Sequence, residues 1–575
     1  MSLEPLTLIV GENNAGKSSV LQALSTFFGH TRATEDDLHV DDSGARSSEF
    51  VIDVRFIPGS GTGFSQDIAT RLLGKIQIPK DTKEPQFFTV RATGSVAKDG
   101  SGIAIDRRFV RGWAEDRRAA EALPLLPDRP GQEYLELVSF FLLDARRDLV
   151  DELRARTSHW GRLLSDLGLG AKEKAQIETA LVQIGATIVG ASPVLGAVKA
   201  GLTGVKEALG GSVGDVAIAP VPGRVDELAR AVDVLISRPS GPALPLRLQG
   251  HGSRSLAAVM VFEAFVQKRT SGNPMNPALV VSAFEEPEAH LHPQAHRAML
   301  ELIGSVDGQK LVSTHSPHVA RVADVYSIRS LSRGPDGSPV CRAVPRTVNG
   351  VPLFTSDDMA KLKRFLFRNN GEALFARAVL VVEGDAEDLA LPVFAREYWG
   401  KDHGLLGISI AHTGGFGSGK HVIPVLEHLG IPWVLFADGD NGGTLGIAGI
   451  EKSLKRKLKP EECEQLPAGA CFEQYLVDAG YTDLMEQAID GEFGAGQVAA
   501  FRKLLHDEPY KGGKGKRDYQ SQGWKERLVR DFCQDHKGTI GAVLASAIVA
   551  NAATAKLGVI PKSIAEAFKK IGSHL

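Results

Sequence analysis

Residues 11–19 read Gly-Glu-Asn-Asn-Ala-Gly-Lys-Ser-Ser, between an apolar run at 6–10 and a segment with helical apolar spacing at 18–28. A G-x-x-x-x-G-K-[ST] pattern set between a strand and a helix commits this region to an α/β layer. The glycines let loop N–H groups face an anion, and the helix N-terminus adds a favourable field. Asn13, Asn14, Gly16, Lys17, Ser18 and Ser19 are therefore the candidate nucleotide contacts, with Lys17 directed to the terminal phosphates of ATP and Ser18 to Mg²⁺.

Such a site needs acidic partners at the end of a neighbouring strand. The run ALVVSAFEEPEAHLHP supplies Glu285 on the metal side and Glu286 to polarise an attacking water. Further on, KLVST leads into STHSPH, where His315 is placed to sense the terminal phosphate. Ahead of both, Gly250, Gly252, Ser253 and Arg254 open a long apolar helix and resemble the ABC signature loop, whose serine contacts ATP held by another subunit. This order implies an ABC-type ATPase whose heads form a dimer.

The remaining length demands more than one core. The chain has 575 residues, enough for roughly two to four domains. Residues 1–150 and 241–355 read as the two parts of the ATPase. Residues 151–240, rich in Ala, Gly, Leu and Val and helical in spacing over 172–184, read as a helical insertion suited to dimerisation. A loop-rich stretch and a basic helix at 359–367 then lead to a second domain, 356–575.

That domain opens with AVLVVEGDAEDLALPVF, which puts Glu383 at a strand end and Glu387 one turn further on. A second strand, PWVLFADGDNGG, brings Asp438 and Asp440, whose spacing puts both on one side of an extended chain. Carboxylates converging from two strand ends repel one another unless cations neutralise them, which suits a pair of Mg²⁺ or Mn²⁺ ions clamping a phosphodiester. V-E-G-x-x-E followed by D-x-D, with HTGGFGSG between, is the Toprim pattern. No tyrosine stands in a context that marks a topoisomerase nucleophile, and no cysteine spacing suggests a primase zinc module, so hydrolysis by water is expected.

Charge and composition limit the alternatives. A net charge of −3 gives no global pull towards nucleic acid, so DNA contact has to be local. Four scattered cysteines argue against a disulfide framework and fit the cytoplasm, and no stretch approaches the ~20 apolar residues of a membrane span.

The strings EEPEAHLHP, STHSPH, GEALFARAVLVVEGDAE and FADGD together resemble the OLD (overcoming lysogenization defect) family over nearly the whole chain. The resemblance implies an ATP-linked, metal-dependent DNA endonuclease that acts in defence against bacteriophage, as a homodimer or larger assembly. Some members work beside a helicase-like partner. It also implies a late lysine at the scissile phosphate, for which Lys537 is the candidate, and a further metal ligand, for which Glu473 is preferred to Asp478. Lys511, Lys514 and Lys516 form a basic loop suited to phosphate-backbone contact, and Arg146 and Arg147 match a recurring family string. The competing readings are an ATP-dependent DNA clamp without nuclease activity, which would call for a long coiled coil absent from the sequence, and a phosphatase or nucleotide hydrolase using the same metals.

Overall fold

The protein is described from a computed structural model. The described residues are 1–575 apart from 42, 82, 98–101, 132–133, 135–136, 144–168, 199–234, 238–242, 246–247, 272–278, 290, 322, 335–336 and 511–514. The chain divides into two compact units, Met1–Leu21 with Leu311–Leu575, and Gln22–Lys310.

The chain opens with β1 (Leu6–Gly11), followed by the glycine loop and α1 (Lys17–Phe27). Leu8, Ile9 and Val10 are fully buried, as both faces of a parallel strand require.

In the second unit β2 (Glu49–Phe56), β3 (Phe88–Val96) and β4 (Ile103–Val110) form an antiparallel sheet. Its apolar face closes over Phe56, Phe88, Phe109 and Tyr134. Here Arg91 grips Asp53 across the β2–β3 ladder, Nε to Oδ1 and Nη2 to Oδ2, both at 2.7 Å. Next, β5 (Val138–Leu143) runs parallel to β6 (Leu279–Glu285). Between them in sequence come α2 (Ala171–Ala191), a described helix within residues 151–240, and α3 (His251–Ser271). The unit ends on α4 (Pro293–Ser305), which starts on a proline and buries His296, Met299, Leu300 and Ile303 at helical spacing.

The first unit resumes with β7 (Gln309–Ser313), α5 (Pro317–Ala320) and a hairpin, β8 (Ile328–Arg333) and β9 (Pro339–Ala343). β8 lies parallel to β1, with Leu8 opposite Ile328. The expected basic helix is two-part: α6 (Ser356–Leu362), opened by a Thr355–Asp358 capping box, widens into a π-helical turn at Lys363–Asn369.

Four parallel strands follow, β10 (Ala378–Val382), β11 (Ile408–His412), β12 (Trp433–Ala437) and β13 (Cys463–Gln465), in the order β11-β10-β12-β13. Crossover helices α7 (Asp385–Trp399), α8 (Phe416–Leu429) and α9 (Asn441–Leu454) connect them. Side chains alternate between two cores. Ala378, Leu380 and Val382 face one with Phe394, Phe436 and Phe472, whereas Val379 and Val381 face the other with Val422 and Leu426. Val10 of β1 and Ile328 of β8 belong to that second core, so the glycine-loop strand and the four-stranded sheet share one apolar interior.

Past β13 the chain is helical: α10 (Phe472–Asp478), α11 (Thr482–Phe493), α12 (Trp524–Asp535), α13 (Lys537–Asn551) and α14 (Lys562–Gly572). Gly541 of α13 comes so near α7 that a Cβ there would lie 2.4 Å from the Ala386 carbonyl oxygen. This close approach brings the start of α13 beside the first turn of α7.

Candidate active site

The glycine loop is held by geometry that only its own residues tolerate. Gly11 has φ +146°, and a Cβ there would meet the Leu331 carbonyl oxygen at 2.2 Å. Gly16 and Asn14 also have positive φ, 97° and 64°. Lys17, 5% exposed, donates through Nζ to the carbonyls of Gly11 at 2.9 Å and Glu12 at 2.7 Å, so the amine lies folded over its own loop. Asn13, Ser18 and Ser19 are exposed at the loop and first helical turn.

His315 follows β7 and is exposed, and its neighbour Thr314 donates its N–H to the Ile9 carbonyl at 3.2 Å. That bond secures the histidine loop to the strand carrying the glycine loop. In the second unit Glu285 closes β6, and Glu286 follows with φ +42°, a backbone region costly for a side chain of this kind. Ser253 is exposed in the first turn of α3, with Gly252 and Arg254 also inside that turn, so the stretch read as a loop is already helical.

The acidic residues of the second domain form a buried cluster. Glu383 stands just past the end of β10, and Glu387 is in the first turn of α7, 5% exposed. Asp438 follows β12 at 6%, and Glu473 in the first turn of α10 is 1% exposed. Burial pushes Glu383 up to about 8, helped by the charges of Asp438, Glu387 and Asp440. Burial likewise raises Glu387 to about 8, with Asp438 adding to it, and Asp438 to about 7, with Glu473 adding to it.

One cation enters this group. Lys537, the first residue of α13, has Nζ 3.5 Å from Glu473 Oε1. Burial works against its charge, but Glu473, Glu387 and Asp438 outweigh that and raise its pKa. A neighbouring tie fixes the helices concerned: Arg530 of α12 donates to Gln474 Oε1 at 3.0 Å, beside Glu473.

Buried oxygens Glu383 Oε2, Asp438 Oδ1 and both of Glu473 accept no hydrogen bond. Buried carboxylates without donors are costly unless a cation joins them, so these residues fit a divalent ion with oxygen ligands. Among the described residues no three such side chains are already drawn into a closed ligand shell.

One expectation needs correction, and the less favoured Asp478 falls away. Asp440 does not project from an extended chain beside Asp438, because β12 stops at Ala437 and the DGD segment turns into α9. Asp440 caps that helix, accepting from the Gly443 N–H at 2.8 Å, and remains close enough to raise Glu383 and Asp438. Asp478 is exposed and accepts from Gln474 Nε2, apart from the cluster. Lys516 is exposed at a bridge to Pro509, whereas Lys511, Lys514, Arg146 and Arg147 lie outside the described residues.

Sequence reading missed the support behind Glu383. Gly415 donates its N–H to the Glu383 carbonyl at 2.9 Å, and Thr413 its N–H to that of Val382 at 3.1 Å. Upstream, Asn370 donates to the His412 carbonyl at 2.7 Å and accepts the His412 N–H at 3.2 Å. The HTGGFGSG loop and an Asn-Asn-Gly turn ahead of β10 were the traces of this in the sequence.

Comparison with known proteins agrees with this architecture. Residues 374–440 match the family described as Overcoming lysogenization defect protein-like, TOPRIM domain, and residues 1–104 and 174–320 match the AAA ATPase domain. A Thermus scotoductus protein named OLD nuclease is 25% identical over 541 residues, 89% of this chain and 90% of that one. The Old nuclease of Escherichia phage P2 is 23% identical over 222 residues, 38% of this chain and 36% of its own. Among solved structures, the C-terminal region of the Burkholderia pseudomallei OLD protein aligns with TM-score 0.24 and 20% identity, over 35% of this chain and 98% of that one. Matches to the AAA ATPase domain in the N-terminal part and to the OLD-like Toprim domain in the C-terminal part thus share this chain, which is similar to a protein named OLD nuclease over 89% of its length.

Proposed function

We propose that the protein is a DNA endonuclease that hydrolyses phosphodiesters with divalent ions in its Toprim domain, under the control of ATP bound at its head. The observation that carries this reading is the cluster of Glu383, Glu387, Asp438 and Glu473, in which burial raises the first three carboxyls and Glu383, Asp438 and Glu473 keep buried oxygens without a hydrogen-bond donor.

Glu383, Glu387, Asp438, Asp440 and Glu473 would hold the ions, Mg²⁺ or Mn²⁺ and two in number. When bound, such ions polarise the scissile phosphate and activate water. Lys537, already drawn toward the cluster by Glu473, is placed to balance charge developing on the phosphate oxygens. Burial of Glu387 and Asp438 lowers the local dielectric and strengthens that balance.

At the head, Lys17, whose amine lies over the Gly11 and Glu12 carbonyls, would hold the phosphates of ATP, Ser18 and Glu285 would hold the nucleotide's Mg²⁺, Glu286 would orient water and His315 would read the terminal phosphate. Ser253 acts on ATP held by a second copy, which makes the working form a dimer, with residues 151–240 contributing to it. Lys516, with Lys511 and Lys514, supplies a local positive track for DNA in a chain of near-neutral charge. No described helix is long and apolar enough to cross a membrane. The setting is bacterial anti-phage defence or DNA processing in the cytoplasm, with a helicase-like partner as in part of the family.

The test is plasmid cleavage with Mg²⁺ or Mn²⁺ by Glu383→Ala and Asp438→Ala. Loss of nicking and cutting, with ATP binding intact, is expected. Full cutting by both variants refutes the reading.

A further inference from the structure

Glu383 is positioned through its backbone. Its carbonyl accepts from Gly415, the preceding carbonyl accepts from Thr413, and both donors continue from the end of β11 at His412. The Thr413 hydroxyl also donates to the Val382 carbonyl at 3.1 Å. His412 is at the lateral edge of the four-stranded sheet, where its outward N–H and C=O have no further strand to pair with. The Asn370 side chain takes that place, receiving the N–H and donating to the C=O, as a neighbouring strand would.

Asn370 is at the same time flanked by residues that contact the ATPase part of the first unit. The next residue, Gly371, is buried against the histidine loop, where a Cβ on it would lie 3.3 Å from Pro317 Cβ and 3.4 Å from the Pro317 carbonyl oxygen, close enough that Pro317 would have to give slightly. Arg321, just after α5, donates to the Phe367 carbonyl on the other side of Asn370. Pro317 stands two residues from His315. A shift of the histidine loop therefore presses on the turn that holds the edge of β11.

We propose that Asn370 is a positioning residue for Glu383, and that the Pro317–Gly371 contact carries the nucleotide state of the histidine loop through it to the metal-binding carboxylates. This rests on the reading of Glu383 as a metal ligand. Rigid packing on both sides of Asn370 favours transmission over absorption of the movement, because packed elements shift as bodies.

The test measures Mn²⁺ binding by full-length protein, by paramagnetic resonance of the free ion, with and without a non-hydrolysable ATP analogue. Plasmid cleavage against Mn²⁺ concentration is followed in parallel. Asn370→Ala removes both bonds to His412 and is expected to weaken Mn²⁺ binding by about five- to tenfold, two modest hydrogen bonds' worth. Its cleavage rate at saturating Mn²⁺ should stay within about twofold of the parent, and the analogue should no longer change its Mn²⁺ affinity. Gly371→Ala keeps those bonds and disturbs only the Pro317 contact, so nucleotide-free Mn²⁺ affinity should be unchanged while the analogue's effect is lost. Parental Mn²⁺ affinity in Asn370→Ala, or a parental analogue effect in Gly371→Ala, overturns the proposal. If Asn370→Ala does not fold, Gly371→Ala decides alone. Unchanged Mn²⁺ binding in Glu383→Ala would instead refute the underlying assignment of the ligand.

Discussion

Lys537 Nζ stands 3.5 Å from Glu473 Oε1, an amine on the first turn of α13 facing a carboxylate buried to 1% exposure at the start of α10. Gly541 makes this pairing possible, since any larger residue would push α13 off the Ala386 carbonyl and carry Lys537 away from the cluster.

Replacing Lys537 by Met should lower the cleavage rate by about 100-fold, the usual cost of removing one stabilising group at a reacting centre. The same change withdraws a positive charge that holds Glu383, Glu387 and Asp438 down, so metal binding should shift to higher pH. Lys537→Arg should restore part of the rate. A parental rate in Lys537→Met removes the lysine from the chemistry.

The turn after β12 gives a stability prediction. A Cβ at Gly439 would lie 1.9 Å from the Pro467 carbonyl oxygen, and one at Gly443 2.1 Å from that of Asp438. Both obstacles are backbone and cannot rotate away. Gly439→Ala should therefore lower the melting temperature by several degrees and abolish metal binding together, because the 467–470 loop it displaces leads into Glu473. Calorimetry with and without Mn²⁺ measures both effects.

Which of these features the sequence could disclose follows from what each depends on. The strand–loop–helix around Lys17 and the apolar strands before Glu383 and Asp438 are written in periodicity and in glycines whose φ is forced, and they stand as expected. The placement of Asp440 was misread because D-x-D spacing does not say where a strand ends. Pro467, far along the chain, makes the turn at Gly439 tight. Glu473 reached the cluster through family resemblance alone, as no local pattern marks it. Asn370 was illegible for a different reason: it acts on backbone groups of His412, and any short polar side chain in a loop looks alike until the fold brings a sheet edge to it.

Arg91 and Asp53 supply a prediction away from both sites. Both are largely buried and joined by two bonds of 2.7 Å, while Arg91 also donates to the Ala120 and Glu121 carbonyls. Removing one partner strands the other charge, so Arg91→Ala should destabilise the second unit by about 3–5 kcal/mol. Replacing both residues with apolar ones should cost less than Arg91→Ala alone. Denaturant unfolding of the two variants would reverse that order if the pair is merely a surface contact.

The last prediction concerns pH. Burial holds Glu383 and Glu387 at about 8 and Asp438 at about 7 in the metal-free fold, whereas an unfolded chain releases these protons near about pH 4. Between those limits the folded form binds more protons. The cluster's contribution to stability is thus fully present below about pH 4 and is lost as the pH rises through about 7 to 8. A divalent ion reverses the trend, because it stabilises the charged carboxylates and displaces their protons. The rise in melting temperature caused by Mn²⁺ should therefore be small at about pH 6 and larger at about pH 8.5, and calorimetric titration near neutrality should record proton release on binding. In Asp438→Asn both the pH dependence and the proton release should shrink. An equal Mn²⁺ effect at the two pH values, without proton release, would mean that the ion binds somewhere other than these carboxylates.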